Sequence, residues 1–253
     1  MEGKWIRMEN KKPGGFIDIH THLLPGIDDG AQDMAQALEL LKMAWEDGTT
    51  GVVLTPHHRG RYRANTPQML RSAFDALTAE VNKILPDMKL YLGNEAGIER
   101  DLGEKVAEGR VLSLNDSHYM LLEFDYGSSR IQIIDGVMGV ISSGYTPIIA
   151  HAERYDIFRK NKKLAEEVLG VGALIQLNAD SVLGKGSFGE KRCCHRLLKL
   201  RQVQFIASDG HDAVERQPLL SEAFRHVSKR YGEEYAWELF RDNAHGLLSG
   251  RWH

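Results

Sequence analysis

The chain has 253 residues, 42% of them hydrophobic and 26% charged, and a formal net charge of −3 with its 11 histidines neutral. That length suits one large domain or two small ones, and the composition is that of a soluble globular protein. The balance lacks the basic excess of a nucleic-acid-binding surface, and no run approaches the roughly 18 apolar residues of a membrane span; the adjacent Cys193 and Cys194 have no further thiol to bridge to, which excludes a disulfide framework and fits a cytoplasmic location.

Residues 1–15 are polar and basic and hold no apolar stretch of the kind a secretory signal needs, so they read as a flexible leader. From residue 16 one unit recurs: a short β-branched or apolar run, a polar residue, then a helical pattern. The first run is 16–20, followed by an amphipathic helix over 33–47 with Ala37, Leu38, Leu41 and Ala44 on one face and Gly48 closing it. The second run, 51–57, leads to a helix over 66–85 with Pro67 in its first turn. Runs follow at 89–95, at 119–124 with a helix over 131–143, and at 146–151 with a helix over 160–170. The sixth run, 173–178, precedes a Gly-rich loop and a helix over 190–201; the seventh is 203–211, and helices over 218–231 and 233–248 close the chain. Strands alternating with helices in this way predict repeated βαβ units and a parallel sheet. No linker or low-complexity segment interrupts 16–253, which predicts a single domain.

The first run ends in His20 and His22, which on a strand point to the same side. A Pro25-Gly26 turn and the carboxylate pair Asp28-Asp29 follow, so nitrogen and oxygen donors suited to a divalent metal lie within ten residues. Later runs also end in metal-ligating types: His57, Glu95, Glu123, His151, Asp209 and His211. A lone histidine at a strand end is more often a hydrogen-bonded structural residue. Five histidines and up to four carboxylates at repeated strand ends are different, because burying them together leaves many polar groups to satisfy. Bound cations satisfy them jointly, and the donors are too many for one tetrahedral ion. Clusters of two or three metals serve in-line displacement at phosphorus. In an open sheet, ends far from the switch point cannot share a site, whereas in a barrel all C-terminal ends ring one mouth. A barrel is therefore expected, and seven runs make it incomplete or distorted.

At this point the chain resembles the PHP (polymerase and histidinol phosphatase) superfamily. The resemblance is to its bacterial branch of manganese-dependent protein-tyrosine phosphatases of capsule and exopolysaccharide synthesis, the CpsB/CapC/YwqE type. The stretches that carry it are Asp18-Ile19-His20-Thr21-His22-Leu23-Leu24-Pro25-Gly26-Ile27-Asp28-Asp29-Gly30, Thr55-Pro56-His57, Gly93-Asn94-Glu95, Leu121-Leu122-Glu123-Phe124, Ile149-Ala150-His151-Ala152-Glu153-Arg154-Tyr155, Gln176-Leu177-Asn178-Ala179 and Ala207-Ser208-Asp209-Gly210-His211. The resemblance implies an α/β fold, a distorted seven-stranded (β/α)7 TIM-like barrel with a metal site at the C-terminal mouth of its strands. It implies a divalent metal cluster of three ions, with manganese expected and iron, zinc or magnesium possible. The implied ligands are His20, His22, Asp29, His57, Glu95, Glu123, His151, Asp209 and His211, with Arg154 and Arg216 as catalytic residues. The implied substrate is the phosphotyrosine tail of a bacterial tyrosine kinase, with no nucleic-acid partner and no membrane insertion.

A small-molecule phosphatase such as histidinol-phosphate phosphatase would share every ligand and is the alternative. An amidohydrolase commonly has a bridging lysine, and no run here ends in one; a regulatory metal-binding domain would not need the whole ligand set. His58 points opposite to His57 on an extended chain and is expected either behind the ligands or exposed at the surface. His118, His195, His226, His245 and His253 read as surface or helix residues. The cluster Arg59-Gly60-Arg61-Tyr62-Arg63 is either a solvated loop or a contact for a phosphorylated acidic peptide. Gly184, Gly186 and Gly189 lack the Lys-Ser/Thr ending of a phosphate-binding loop.

Overall fold

A computed structural model describes residues 14–250 of the protein. The expected leader therefore lies outside the described residues except for Gly14 and Gly15, and so does His253. Among the described residues nine strand segments form: β1 Phe16–Thr21, β2 Thr49–Leu54, β3 His57–His58, β4 Lys89–Leu92, β5 Glu95–Gly97, β6 Tyr119–Glu123, β7 Thr146–Ile149, β8 Leu174–Asn178 and β9 Phe205–Ala207. One sheet has the order β1-β2-β4 and the other β3-β5-β6-β7-β8-β9, and every pairing is parallel.

The expected count of seven strands is exceeded because two runs break. Pro56 separates β2 from β3 and has no N–H to give to a ladder. Gly93 and Asn94 separate β4 from β5, and there the Asn94 side chain replaces ladder bonds, donating to Pro56 O (2.9 Å) and accepting from Leu112 N (3.0 Å). Backbone bonds bridge the other side of the ring. Thr21 pairs with Gly210, Asp209 N donates to His20 O (2.9 Å), and His22 N donates to Gly210 O (2.8 Å), so the end of the last strand is tied to the end of the first.

Helices cover the outside. Met34–Glu46 buries Ala37, Leu40, Leu41 and Ala44, so Leu40 takes the place in the core expected of Leu38, which is only partly buried. Pro67–Ile84 is capped by the Thr66 side chain, which accepts from Met69 N, with Pro67 in the first turn. Arg130–Ser142 and Phe188–Lys199 each start from a capping box, Ser129 with Gln132 and Ser187 with Glu190. The helix expected over 160–170 is two pieces, Asp156–Lys160 and Leu164–Gly170, because Asn161 is extended and caps Lys163 N with its own side chain. Two short helices, Leu102–Ala107 and Ala179–Leu183, went unread because one or two turns show no periodicity. The closing helix over 233–248 is interrupted by a π-turn at Glu238–Asp242.

Ile17, Ile19, Val53, Leu121, Ile148 and Phe205 belong to one apolar cluster drawn from five strands. At the C-terminal ends of these and neighbouring strands, the polar residues are brought together. Among the described residues no helix is long and apolar enough to cross a membrane.

Candidate metal centre

His20 and His22 stand at the end of β1, and their Nε2 atoms are 3.2 Å apart. Two donors each about 2.0–2.1 Å from one ion stand roughly 3.0–3.4 Å apart, so this spacing suits a shared cation. Glu95 enters from β5, with Oε1 at 3.3 Å from His20 Nε2 and 2.8 Å from His151 Nε2, and Oε2 at 3.4 Å from His22 Nε2. Asp209 follows β9, with Oδ1 at 3.4 Å from His20 Nε2 and 3.5 Å from His22 Nε2. His57 Nδ1 lies 2.7 Å from Glu95 Oε2 and 3.6 Å from Glu123 Oε2. His57 Nε2 lies 3.4 Å from Asp29 Oδ1, and His211 Nε2 lies 3.8 Å from the same oxygen. The nine residues fall into four overlapping groups: His22, Asp29, His57 and His211; His20, His22 and Glu95; His20, His151 and Asp209; and His57, Glu95 and Glu123. Within each group one donor atom per residue lies within 4.8 Å of the others. The structure thus brings together every residue the sequence pointed to as a ligand.

The donors fit cations on three further counts. His57 Nδ1, Glu95 Oε2 and His211 Nε2 are buried yet make no well-formed hydrogen bond, although the first two are close. Such orphaned atoms are costly unless a charge sits among them. Secondly, the electrostatics call for positive charge. Burial pushes Glu95 up, but His20 and His151 outweigh it and hold its carboxyl well below the usual range. Burial opposes charge on His20, and the Glu95 and Asp209 carboxylates overcome that and raise it. His22 is raised further, against burial, chiefly by Asp28. His211, by contrast, is pushed down to about 2 by burial and by the neighbouring charge on His22. Thirdly, His151 (φ +34°) and Asp209 (φ +56°) adopt left-handed backbone conformations. Residues other than glycine hold these at a cost of order 1–3 kcal/mol, as functional sites do.

Neighbours orient the donors. Asp28 Oδ2 accepts from His22 Nδ1 (2.7 Å) and from His57 N (2.9 Å), turning His22 Nε2 toward the cluster. His211 Nδ1 contacts the Asp209 carbonyl at 2.9 Å, which leaves Nε2 facing inward. The roles of Asp28, Gln176 and Asn178 were missed from sequence; adjacency to a ligand or membership of a strand end that lacks one was the available signal. His58 is buried beside Glu99 rather than at the surface. His118, His195 and His245 are exposed and His226 is half-buried, all away from the cluster.

Arg154 and Arg216 also reach the site. Arg154 Nη1 stands 3.0 Å and Arg216 Nη2 2.6 Å from Asp209 Oδ2, rather than on Glu153 or Glu215 as surface pairing would have it. Both line a cleft of about 350 Å³ with Glu95, Asp209, Tyr62 and Tyr126. Tyr62 stacks on His57 (5.8 Å between ring centres, 16° between planes) and Tyr126 is 54% exposed. The basic loop is paired within the chain: Arg59 with Glu123 and Asp125, Arg63 with Glu99, and Arg61 with the Tyr62 hydroxyl. A larger cavity, about 550 Å³, lies by Ile17, Thr50, Tyr91 and Arg241 and holds none of the donors.

Residues 16–249 match the family described as capsular polysaccharide synthesis, CpsB/CapC. The chain belongs to this family. The tyrosine-protein phosphatase CpsB of Streptococcus pneumoniae is 31% identical to it over 241 residues, covering 92% of this chain and 98% of that protein. The tyrosine-protein phosphatase YwqE of Bacillus subtilis is 32% identical over 233 residues, covering 92% of this chain and 91% of that protein. A crystal structure of these proteins, described as unique metal-dependent tyrosine phosphatases, superposes with a TM-score of 0.87 at 32% identity, covering 94% of this chain and 95% of that one. The phosphotriesterase of Mycobacterium tuberculosis matches at 11% identity with a TM-score of 0.60 over 92% of this chain and 94% of that one, which is a likeness of fold. Membership of the CpsB/CapC family thus joins a parallel α/β fold to a cluster of side chains that could hold metal ions.

Proposed function

We propose that this protein is a metal-dependent protein-tyrosine phosphatase acting on the phosphotyrosine tail of a bacterial tyrosine kinase in capsule or exopolysaccharide synthesis, in the cytoplasm. The observation that carries the reading is the convergence of two guanidinium groups on Asp209, at the edge of four groups of candidate ligands. We further propose that residues 16–253 form one domain, in which β2 with β3 and β4 with β5 serve as broken staves of a distorted seven-staved barrel.

His20, His22, Asp29, His57, Glu95, Glu123, His151, Asp209 and His211 would hold three divalent ions, manganese in the first instance. When bound, such ions polarise phosphoryl oxygens and make water nucleophilic near neutral pH. The chain's own groups do the rest. Arg154 and Arg216 leave Asp209 Oδ2 for the phosphate, whose oxygens match their planar forks. There they stabilise the charge that builds up in the transition state. Tyr62 and Tyr126 flank the cleft and offer aromatic faces to an aryl ester. A phenolate, with a conjugate acid of pKa about 10, leaves with little help from a general acid.

The aromatic rim favours phosphotyrosine over an alkyl ester such as histidinol phosphate. The test is a side-by-side assay of p-nitrophenyl phosphate, a phosphotyrosine peptide and histidinol phosphate, with and without Mn²⁺, on protein of measured metal content. Turnover of the two aryl esters only with metal is expected. Preference for histidinol phosphate would transfer the protein to the small-molecule class.

A further inference from the structure

Six of the seven runs end in candidate ligands, and β8 does not: it ends in Gln176-Leu177-Asn178. Both amides are nonetheless buried at the cluster. Gln176 Oε1 accepts from the backbone N–H of His151 (2.8 Å) and lies 3.2 Å from His20 Nδ1. Gln176 Nε2 donates to Asn178 Oδ1 (2.8 Å), and Asn178 Nδ2 donates to Asp209 Oδ2 (2.8 Å).

One obligate donor sets the direction of this whole chain of bonds. A backbone N–H can only donate, so the Gln176 atom facing His151 N must be the carbonyl oxygen. That oxygen can only accept, so His20 Nδ1 must carry its proton, and the Nε2 lone pair is left for the cluster. The Gln176 amide nitrogen then points at Asn178, which fixes the second amide, whose nitrogen points at Asp209. Asp209 Oδ2 thereby has three donors, from Asn178, Arg154 and Arg216. Oδ1 is left facing His20 and His22. His151, the residue at which the bonds start, has a left-handed backbone (φ +34°) that the Gln176 bond helps to hold.

We infer that Gln176 and Asn178 are positioning residues that orient His20, His151 and Asp209 for ion binding. The inference rests on the reading of this site as a metal centre, and it reaches three ligands from three different strand ends. Neutral amides suit this role because they donate on one side and accept on the other, whereas a carboxylate cannot donate to its neighbour.

The test is titration of the chelator-stripped full chain with Mn²⁺ alone, read by calorimetry, with folding checked by circular dichroism. Gln176→Leu is expected to weaken binding by about 10–100-fold, the usual effect of losing a ligand's hydrogen-bond partner. Gln176→Glu keeps the acceptor for His20 and His151 but cannot donate to Asn178, so it should recover only part of that loss. Asn178→Ala, which frees Asp209, should weaken binding by about tenfold. Wild-type affinity in a folded Gln176→Leu variant overturns the inference, as does an equal loss in the Leu and Glu variants. If Gln176→Leu does not fold, Asn178→Ala decides: a clear loss of Mn²⁺ affinity in the folded variant supports it, and wild-type affinity overturns it. A wild-type chain that binds no Mn²⁺ would instead defeat the metal-centre reading itself.

Discussion

Arg216 Nη2 lies 2.6 Å from Asp209 Oδ2, on the oxygen turned away from His20 and His22. Arg154 shares that oxygen at 3.0 Å. One carboxylate thus faces the candidate metal site with one oxygen and parks two guanidinium groups with the other. The side chains of Arg154 and Arg216 remain 26% and 33% exposed, so an entering dianion can reach them. We expect Arg154→Ala or Arg216→Ala to keep the fold and the bound ions and to lose about 10²-fold in kcat, roughly 3 kcal/mol of transition-state stabilisation. Lysine at either position should restore only part, because a point charge lacks the fork. Steady-state kinetics on metal-loaded variants decide it, and turnover within a factor of two of wild type in both alanine variants would return the arginines to a structural role.

Removal of metal should abolish activity. Chelation of the purified protein is expected to reduce phosphatase turnover to background, and Mn²⁺ should restore it. His20→Ala and His22→Ala, which each take a donor from two of the four groups, should lower metal content and activity together. Elemental analysis beside the assay checks both, and full activity in metal-free protein would refute the mechanism.

Asp28 reaches the site only through His22 and His57. Asp28→Asn keeps the shape but weakens the charge-assisted bond to His22 Nδ1. Ion affinity should fall by about 10–100-fold, with kcat at saturating Mn²⁺ much less affected. A large drop in saturated kcat with unchanged affinity would place Asp28 in the chemistry instead.

The cysteines should be dispensable. A thiol-dependent tyrosine phosphatase needs an arginine six positions after its cysteine, and here those positions hold Lys199 and Leu200. Cys193 and Cys194 lie buried within the helix Phe188–Lys199. Burial pushes the Cys193 thiol up to about 11 and Cys194 well above its usual range, so neither supplies a thiolate near neutral pH. Mass spectrometry should find both unalkylated by iodoacetamide in the folded protein at pH 8, and the double Cys→Ser variant should retain nearly full activity.

Tyr62 and Tyr126 bear on substrate choice. If they receive the aryl ring, Tyr62→Ala and Tyr126→Ala should each raise KM for phosphotyrosine peptide several-fold, on the order of 1 kcal/mol for a lost aromatic contact. Hydrolysis of a small alkyl phosphate should change little. Equal effects on both substrate classes would assign Tyr62 merely to packing on His57.

The repeated βα unit and the candidate ligands at the strand ends were legible in the sequence, because each is written in a few contiguous residues. The alternation that turns His20 and His22 to one side needs three positions. Family resemblance then singled out Asp29, Arg154 and Arg216. The tertiary structure alone decided what those residues do to one another. His20 and Gln176 are 156 positions apart, and His57 and Asp28 are 29 apart. Nothing local in the chain says which ring nitrogen keeps its proton, which carboxylate oxygen takes the arginines, or that Asn94 breaks its strand. Those are settled only when the sheet curls so that the end of β9 bonds to the end of β1. Closure packs charges of both signs where water cannot reach, and each buried donor must then find its acceptor.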